Sequence, residues 1–120
     1  MDKVNIAHKL TLFSDHWSPR IVGELNGQQV KLAKLKGEFV WHKHDIEDEL
    51  FLVISGTLRM EFRDRTELIS PGEFIIVPRG VEHKPVAETE EVSVMLFEPA
   101  STLNTGDAES ALRKEELERI

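Results

Sequence analysis

Apolar and polar residues alternate with a period of two along most of the chain, which is the pattern of half-buried β-strands. The clearest case is residues 57–62, where Leu58, Met60 and Phe62 share one face. Asn26-Gly27 predicts a two-residue hairpin turn, and Gly and Pro residues indicate turns between the later strands. Short strands separated by such turns predict an antiparallel sandwich or small barrel. The predicted strands cover residues 20–25, 28–36, 38–44, 50–54, 57–62, 67–70, 74–77, 81–86 and 92–97.

The two ends of the chain depart from the strand pattern. Ile6, Leu10 and Phe13 recur at helical spacing, which predicts a short helix or an arm packed on the body. Asp107 is a candidate N-cap for a short helix through residue 119, although the apolar stripe there is thin. We therefore divide the chain into an N-terminal arm with the first hairpin strand (1–27), which packs on the barrel or on a partner subunit, a barrel (28–99) and a C-terminal tail without chemistry (100–120).

Composition narrows the classes of function. A chain of 120 residues fits one domain, and the absence of cysteine leaves only nitrogen and oxygen ligands for any metal. The 15 basic and 22 acidic residues give a net charge of −7, which argues against nucleic acid or anionic membrane as a partner. No apolar run approaches the roughly 20 residues of a membrane span, and the N-terminus lacks the apolar core of a signal peptide. We expect a cytoplasmic protein.

Two histidines stand one residue apart on a predicted strand. Because side chains alternate along a strand, His42 and His44 lie on the same face. Their imidazoles can therefore converge on one metal ion, at about 2 Å from each. Val40 should share this face, whereas Phe39 and Trp41 should point to the other.

Glu49 and His83 are candidates to complete a metal site. Glu49 begins the next strand and returns beside His44 if the two strands form a hairpin. His83 follows the turn at residues 78–80. Three neutral imidazoles and one carboxylate would leave a divalent ion with a net charge of about +1 and, if it is six-coordinate, with open positions. Water, oxygen or a chelating substrate would bind at those positions.

These residues follow the two sequence motifs of the cupin superfamily, and the chain resembles its small single-domain bacterial members over roughly residues 28–99. Gly37 stands one residue closer to His42 than is usual, and Ala87 replaces the Asn of the second motif. Neither position is a ligand position. The spacing from Glu49 to Gly56 favours Glu49 over Asp48 as the carboxylate. The matching residues are Gly37, His42-Lys43-His44, Glu49 and Gly56 in the first motif, and Gly72, Pro78-Arg79-Gly80 and His83 in the second.

The resemblance implies an all-β double-stranded β-helix, the jelly-roll barrel of cupins, with one divalent metal ion per chain. The ligands would be His42, His44, Glu49 and His83, and the ion would be Fe, Mn, Ni or Zn. Proteins of this appearance are often compared with mannose-6-phosphate isomerase, which we take as a statement about fold. Small cupins commonly dimerise, and residues 50–54 are apolar on both faces. We therefore expect a homodimer, with the N-terminal arm or the second subunit covering the outer face.

Alternation also predicts the lining of the pocket beside the metal. The last strand contributes either residues 92, 94 and 96 or residues 93, 95 and 97. Beyond the ligands we find almost no titratable group placed as a general acid or base. Arg79, at the rim beside His83, is the candidate contact for a substrate anion, and an exposed turn arginine is the alternative. The predicted lining is Val40, Phe51, Val53, Met60, Phe62 and Val81.

Two classes of function fit these features. The first is a metal-dependent enzyme acting on a small chelating organic substrate, with dioxygenase-like oxidoreductase chemistry preferred over isomerase or lyase chemistry. A metal with open positions in an apolar pocket suits such reactions. The second is a non-catalytic protein that binds or senses a small molecule and keeps the metal as a structural element. The scarcity of acid and base residues motivates the second.

Overall fold

Eight β-strands and one short helix form the regular structure of the computed structural model, which describes residues 1–120. The all-β jelly-roll predicted from the sequence is confirmed. Nothing in the chain forms a helix long and apolar enough to cross a membrane. In chain order the elements are α1 (Ile6–Leu10), β1 (Arg20–Leu25), β2 (Gln28–Leu35), β3 (Glu49–Ser55), β4 (Leu58–Phe62), β5 (Thr66–Ile69), β6 (Phe74–Val77), β7 (His83–Ala87) and β8 (Val92–Pro99).

The strands form two antiparallel sheets that enclose the core. One sheet has the order β1-β2-β8-β3-β6 and the other the order β5-β4-β7. β8 lies at the centre of the larger sheet, and its inward side chains are those of Val92, Val94 and Leu96, the first of the two predicted alternatives. The same alternation continues to Glu98, which is also buried.

The segment predicted as a strand at residues 38–44 is held by isolated pairs instead of a continuous ladder. Glu38 pairs with Val86, and His42 pairs with His83, with a one-residue shift between the two pairs. Pro85 lies opposite the interruption, and it accepts a hydrogen bond from the backbone N–H of Phe39 but has no N–H to return. The predicted strand is therefore wrong in its central part.

The two ends of the chain pack on the barrel. α1 forms as predicted, with the Asn5 side chain accepting a hydrogen bond from the His8 backbone N–H. The predicted C-terminal helix at residues 107–119 is wrong, since that segment consists of turns. The Asp107 carboxylate accepts the backbone N–H of Lys43 instead of capping a helix. The last residues run beside β1, where Ile21 bonds to the backbone of residues 118 and 120.

Candidate metal centre

Four buried side chains meet at one end of the barrel interior. They are those of His42, His44, Glu49 and His83, and their ligand atoms all lie within 4.8 Å of one another. Glu49 Oε1 lies 3.3 Å from His44 Nε2 and 3.5 Å from His83 Nε2. None of the four side chains is more than 4 % exposed. The residues predicted from the motifs are thus brought together in one cluster.

Backbone contacts orient the imidazoles. His42 and His83 exchange backbone hydrogen bonds of 3.0 and 2.9 Å, which fixes the two residues side by side although they are far apart in sequence. The Nδ1 atom of His42 lies 2.8 Å from the Val40 carbonyl oxygen, and that of His83 lies 2.9 Å from the Val81 carbonyl oxygen. With Nδ1–H donating to a carbonyl, each Nε2 is left as a free lone pair, the arrangement that metal-binding histidines adopt.

The cluster fits a divalent metal ion. His44 Nε2, Glu49 Oε1 and His83 Nε2 are buried and have no hydrogen-bond partner within the protein. Buried polar atoms without partners are rare and costly unless they bind something. Ligand atoms at about 2.0–2.2 Å from one ion lie up to about 4.4 Å apart, close to the span of this cluster. A set of imidazoles and one carboxylate suits Fe, Mn, Ni or Zn.

Electrostatics keep the site ready to bind a cation. Burial, and then the nearby His83, lowers the pKa of His42 to about 4, so this imidazole is neutral at pH 7. Burial opposes the charged form of His44, but the Glu49 carboxylate outweighs it and raises the His44 pKa. Burial likewise opposes ionisation of Glu49, yet the neighbouring Glu98, His44 and His83 side chains hold the Glu49 pKa well below its usual range.

Two charged residues of the barrel interior were missed by the sequence analysis. Glu98 is 2 % exposed and Lys31 is 1 % exposed, and Lys31 Nζ donates to Glu98 Oε1 at 2.7 Å. Burial and the neighbouring Glu49 charge raise the pKa of Glu98 well above its usual range. The signal was present in the sequence, because Glu98 continues the alternation of Val94 and Leu96 by one more step. The expectation that almost no titratable group accompanies the ligands is therefore wrong.

A small cavity lies beside His42 and Glu49. Its volume is about 30 Å³, which accommodates about two water molecules. Trp17 reaches it from the N-terminal arm and stacks on Phe39, with ring centroids 4.5 Å apart. Phe39 was expected to point away, but the shift at Pro85 turns it toward the cavity. The lining residues are Trp17, Pro19, Ala33, Leu35, Phe39, His42, Glu49, Phe51, Pro85, Val94, Leu96 and Asn104.

Of the six residues predicted to line the pocket, Phe51 does so. Val53 and Met60 lie deeper in the core cluster between the sheets, 1 % and 0 % exposed. The remaining three, Val40, Phe62 and Val81, are half-buried and pack against that cluster. The cavity is lined by inward-facing residues of the strands and also by Trp17 and Asn104 outside them, so strand alternation alone did not identify all the residues that line it.

The C-terminal tail covers the ligand segment. Asp107 and Lys43 exchange backbone and side-chain hydrogen bonds of 3.1 and 2.9 Å. Gly106 packs so closely that a Cβ there would lie 2.3 Å from the Lys43 carbonyl oxygen and 2.9 Å from His42 Cδ2. Asn104, in the same tail, reaches the cavity. The tail therefore contributes to the site, a contact that the sequence analysis did not predict.

Arg79 lies outside the cavity. Its side chain is 62 % exposed and donates to Asp48 at 3.1 and 3.2 Å. Asp48 also accepts the Arg79 backbone N–H. The structure thus shows the alternative considered for Arg79, an exposed turn arginine, and it directs Asp48 away from the metal cluster. Glu49 is the carboxylate within the cluster.

Comparisons with known proteins agree with this architecture. The sequence pattern of the family described as Cupin domain matches residues 28–98. YdbB, an uncharacterized protein of Bacillus subtilis (strain 168), is 36 % identical over 64 residues. That alignment covers 52 % of this chain and 57 % of YdbB, so the chain spans little more than half of that relative.

Two crystal structures are similar over most of their length. A cupin-2 domain containing protein from Shewanella frigidimarina NCIMB 400 is 49 % identical, with a TM-score of 0.78, over 80 % of this chain and 93 % of that one. Protein NMB1881 from Neisseria meningitidis is 30 % identical, with a TM-score of 0.75, over 82 % of this chain and all (100 %) of that one.

Proposed function

The chain belongs to the cupin domain family, and from this premise we propose that it is a metal-dependent enzyme. One divalent ion, Fe, Mn, Ni or Zn, binds to His42, His44, Glu49 and His83. The substrate is a small organic molecule with chelating oxygens. We favour oxidoreductase chemistry of the dioxygenase type over isomerase or lyase chemistry.

The observation that carries the proposal is the set of buried ligand atoms without partners next to a cavity. His44 Nε2, Glu49 Oε1 and His83 Nε2 point to a common centre, and the cavity touches His42 and Glu49. When bound, the ion would supply Lewis acidity and, for iron or manganese, redox chemistry. The chain's own part is to hold neutral imidazoles toward the centre and to exclude water with aromatic walls.

Glu98 supports an enzyme over a passive binding protein. It brings a protonatable carboxyl group into the barrel, beside Glu49, with its pKa raised by burial and by the Glu49 charge. In its neutral form Glu98 can donate a hydrogen bond or hold a proton within the interior. The interior therefore offers one candidate acid or base besides the ligands.

The small volume of the cavity favours a second candidate function, a binding or sensing protein with a structural metal. The free volume of about 30 Å³ admits only a few atoms. A larger substrate requires displacement of Trp17 or Asn104, which line the cavity from the two ends of the chain. If these walls do not move, the metal would serve to stabilise the barrel. A small ligand would then bind and be released chemically unchanged.

Metal analysis followed by an activity screen tests the proposal. The purified native protein is analysed for bound metals, and the stripped protein is reloaded with Fe(II), Mn(II), Ni(II) or Zn(II). Oxygen uptake and substrate loss are then measured against a panel of small chelating acids, enols and sugars. We expect turnover that is lost in His83→Ala and kept in His16→Ala, because His16 pairs with Glu91 outside the cluster. Stoichiometric metal without turnover across the panel would favour the second function.

We also propose that the chain forms a homodimer through the outer face of the larger sheet. Leu50 and Leu52 of β3 pair with Ile76 and Phe74 of β6. Phe74 is 59 % exposed and Ile76 is 53 % exposed, so this apolar row lies open to solvent. Adjacent exposed apolar side chains are typical of protein interfaces. A second copy of the chain would bury this row.

A further inference from the structure

Lys31 and Glu98 form an ion pair in the middle of the barrel interior. Their charged atoms are 2.7 Å apart, and the side chains are only 1 % and 2 % exposed. Removing two charges from water is unfavourable, and apolar residues of similar size often stabilise a core as well or better. Stability alone therefore does not account for a charged pair at this place.

The strand register places this pair directly behind the carboxylate of the metal cluster. β3 and β8 pair Leu50 with Phe97, and the next step of the same antiparallel register sets Glu49 opposite Glu98. The two side chains therefore project from neighbouring strands on the same side of the sheet, next to each other. Lys31 donates to Oε1 of Glu98, whereas Oε2 of Glu98 has no hydrogen-bond partner. Lys31, Glu98 and Glu49 thus follow one another in a row across the sheet.

When all three residues are ionised, their charges sum to one negative charge, which a cation can neutralise. Lys31 carries one positive charge, and Glu49 and Glu98 carry one negative charge each when ionised. Like charges directly opposite on neighbouring strands repel each other, so the pair of carboxyl groups requires a proton, a cation or Lys31 nearby. Lys31 compensates one of the two charges. The remaining charge is available to a metal ion on the other side of Glu49.

We infer that Lys31 and Glu98 are positioning residues for metal binding, which hold the Glu49 carboxylate in its ligating orientation and set the net charge behind it. This rests on the proposed function, in which Glu49 is a metal ligand. Glu49 Oε1 faces the imidazoles of His44 and His83, while Glu98 lies opposite Glu49 on the neighbouring strand. Partners behind a ligand commonly decide its basicity and orientation. Neither Lys31 nor Glu98 belongs to the set of ligand atoms itself.

Zn(II) affinity and Co(II) absorption spectra of charge variants test this inference. Glu98→Gln removes the negative charge of Glu98 and keeps the shape of its side chain. Lys31→Met removes the positive charge of Lys31, whereas Lys31→Arg keeps it. We expect the first two to weaken Zn(II) binding by about 10- to 100-fold and to change the visible spectrum of bound Co(II). Lys31→Arg should stay close to wild type. Lys84→Met is the matched control, because Lys84 pairs with Glu38 and Glu61 on the outside of the barrel.

A single variant could fail to fold because it leaves one buried charge without its partner. The double variant Lys31→Met with Glu98→Gln avoids this, since it leaves no charge at either position. It should fold, yet it should bind Zn(II) as weakly as the single variants. Folded variants with the wild-type Zn(II) dissociation constant and Co(II) spectrum would overturn the inference and leave the metal proposal intact. A wild-type protein that binds none of the four metals would overturn both. A purely structural role would lower the melting temperature without changing either metal readout.

Discussion

Replacement of Gly106 by Ala tests whether the C-terminal tail supports the metal ligands. Gly106 has a φ of +54° and lies against the backbone of Lys43, so the substitution adds both backbone strain and a steric overlap. Two other glycines separate these effects. Gly72 has a φ of +84° with nothing within 4 Å of an added Cβ, and Gly56 has a φ of +77° with the Glu91 carbonyl oxygen at 2.4 Å, in a turn that holds no metal ligand.

The structure gives the expected magnitudes. A Cβ in the left-handed region costs about 1 kcal/mol, and this applies to all three positions. A Cβ added at Gly106 would lie 2.3 Å from the Lys43 carbonyl oxygen, whereas Cβ atoms in proteins stay at least 3.0 Å from such atoms. The tail must therefore move. That movement disrupts the two hydrogen bonds between Asp107 and Lys43, each worth about 1 kcal/mol. We expect a loss of about 3 kcal/mol for Gly106→Ala and of about 1 kcal/mol for Gly72→Ala.

Urea unfolding of the metal-free proteins and Zn(II) titration measure the two consequences. Gly56→Ala should lose as much stability as Gly106→Ala, because it has the same combination of strain and overlap. Only Gly106→Ala should weaken Zn(II) binding, since its Cβ would also lie 2.9 Å from His42 Cδ2. Equal stability of Gly106→Ala and Gly72→Ala would refute the steric argument. Equal weakening of Zn(II) binding by Gly56→Ala would refute the role of the tail.

Three further predictions concern the cluster and the outer face. Zn(II) at 100 times its dissociation constant should stabilise the wild type by about 2.7 kcal/mol, and His83→Ala, unlike His16→Ala, should lose this gain in a melting experiment. Because the His42 pKa is lowered to about 4 from 6.5, the unfolded chain binds more protons between these values. The free energy of unfolding of the metal-free protein should therefore fall by up to about 3 kcal/mol as the pH falls from 6.5 to 4. His42→Gln should reduce this dependence of stability on pH. The same pH dependence in the wild type and in His42→Gln would contradict the argument. Phe74→Glu with Ile76→Glu should convert a dimer to a monomer in light scattering, and an unchanged mass would exclude this face.

Strand periodicity and motif spacing predicted most of the architecture and the metal cluster. The alternation of Leu58 and Met60 marks buried positions that the structure places at 0 % exposure. A period of two places His42 and His44 together, and the match to two motifs added Glu49 and His83. Alternation and each motif depend on residues near one another in sequence, which is why the sequence alone was sufficient to predict them.

Features that depend on distant contacts were not predicted. The pairing between residues 38–42 and β7 is interrupted because Pro85 has no backbone N–H to donate. The interruption turns the Phe39 side chain toward the cavity. The predicted C-terminal helix failed because Asp107 bonds to Lys43, far away in sequence. Glu98 was missed because the last predicted strand ended two residues too early, at Phe97 instead of Pro99.

Part of the cavity wall comes from segments that lie on either side of the cupin match. All four metal ligands fall within residues 28–98, whereas Trp17 and Asn104 fall outside this range. In the proposed enzyme, metal choice and substrate choice can therefore diverge separately, since Trp17 and Asn104 can change without replacing a ligand. We expect that exchanging the residues at positions 17 and 104 between two such proteins would alter the preference for a substrate and leave the preference for a metal in place.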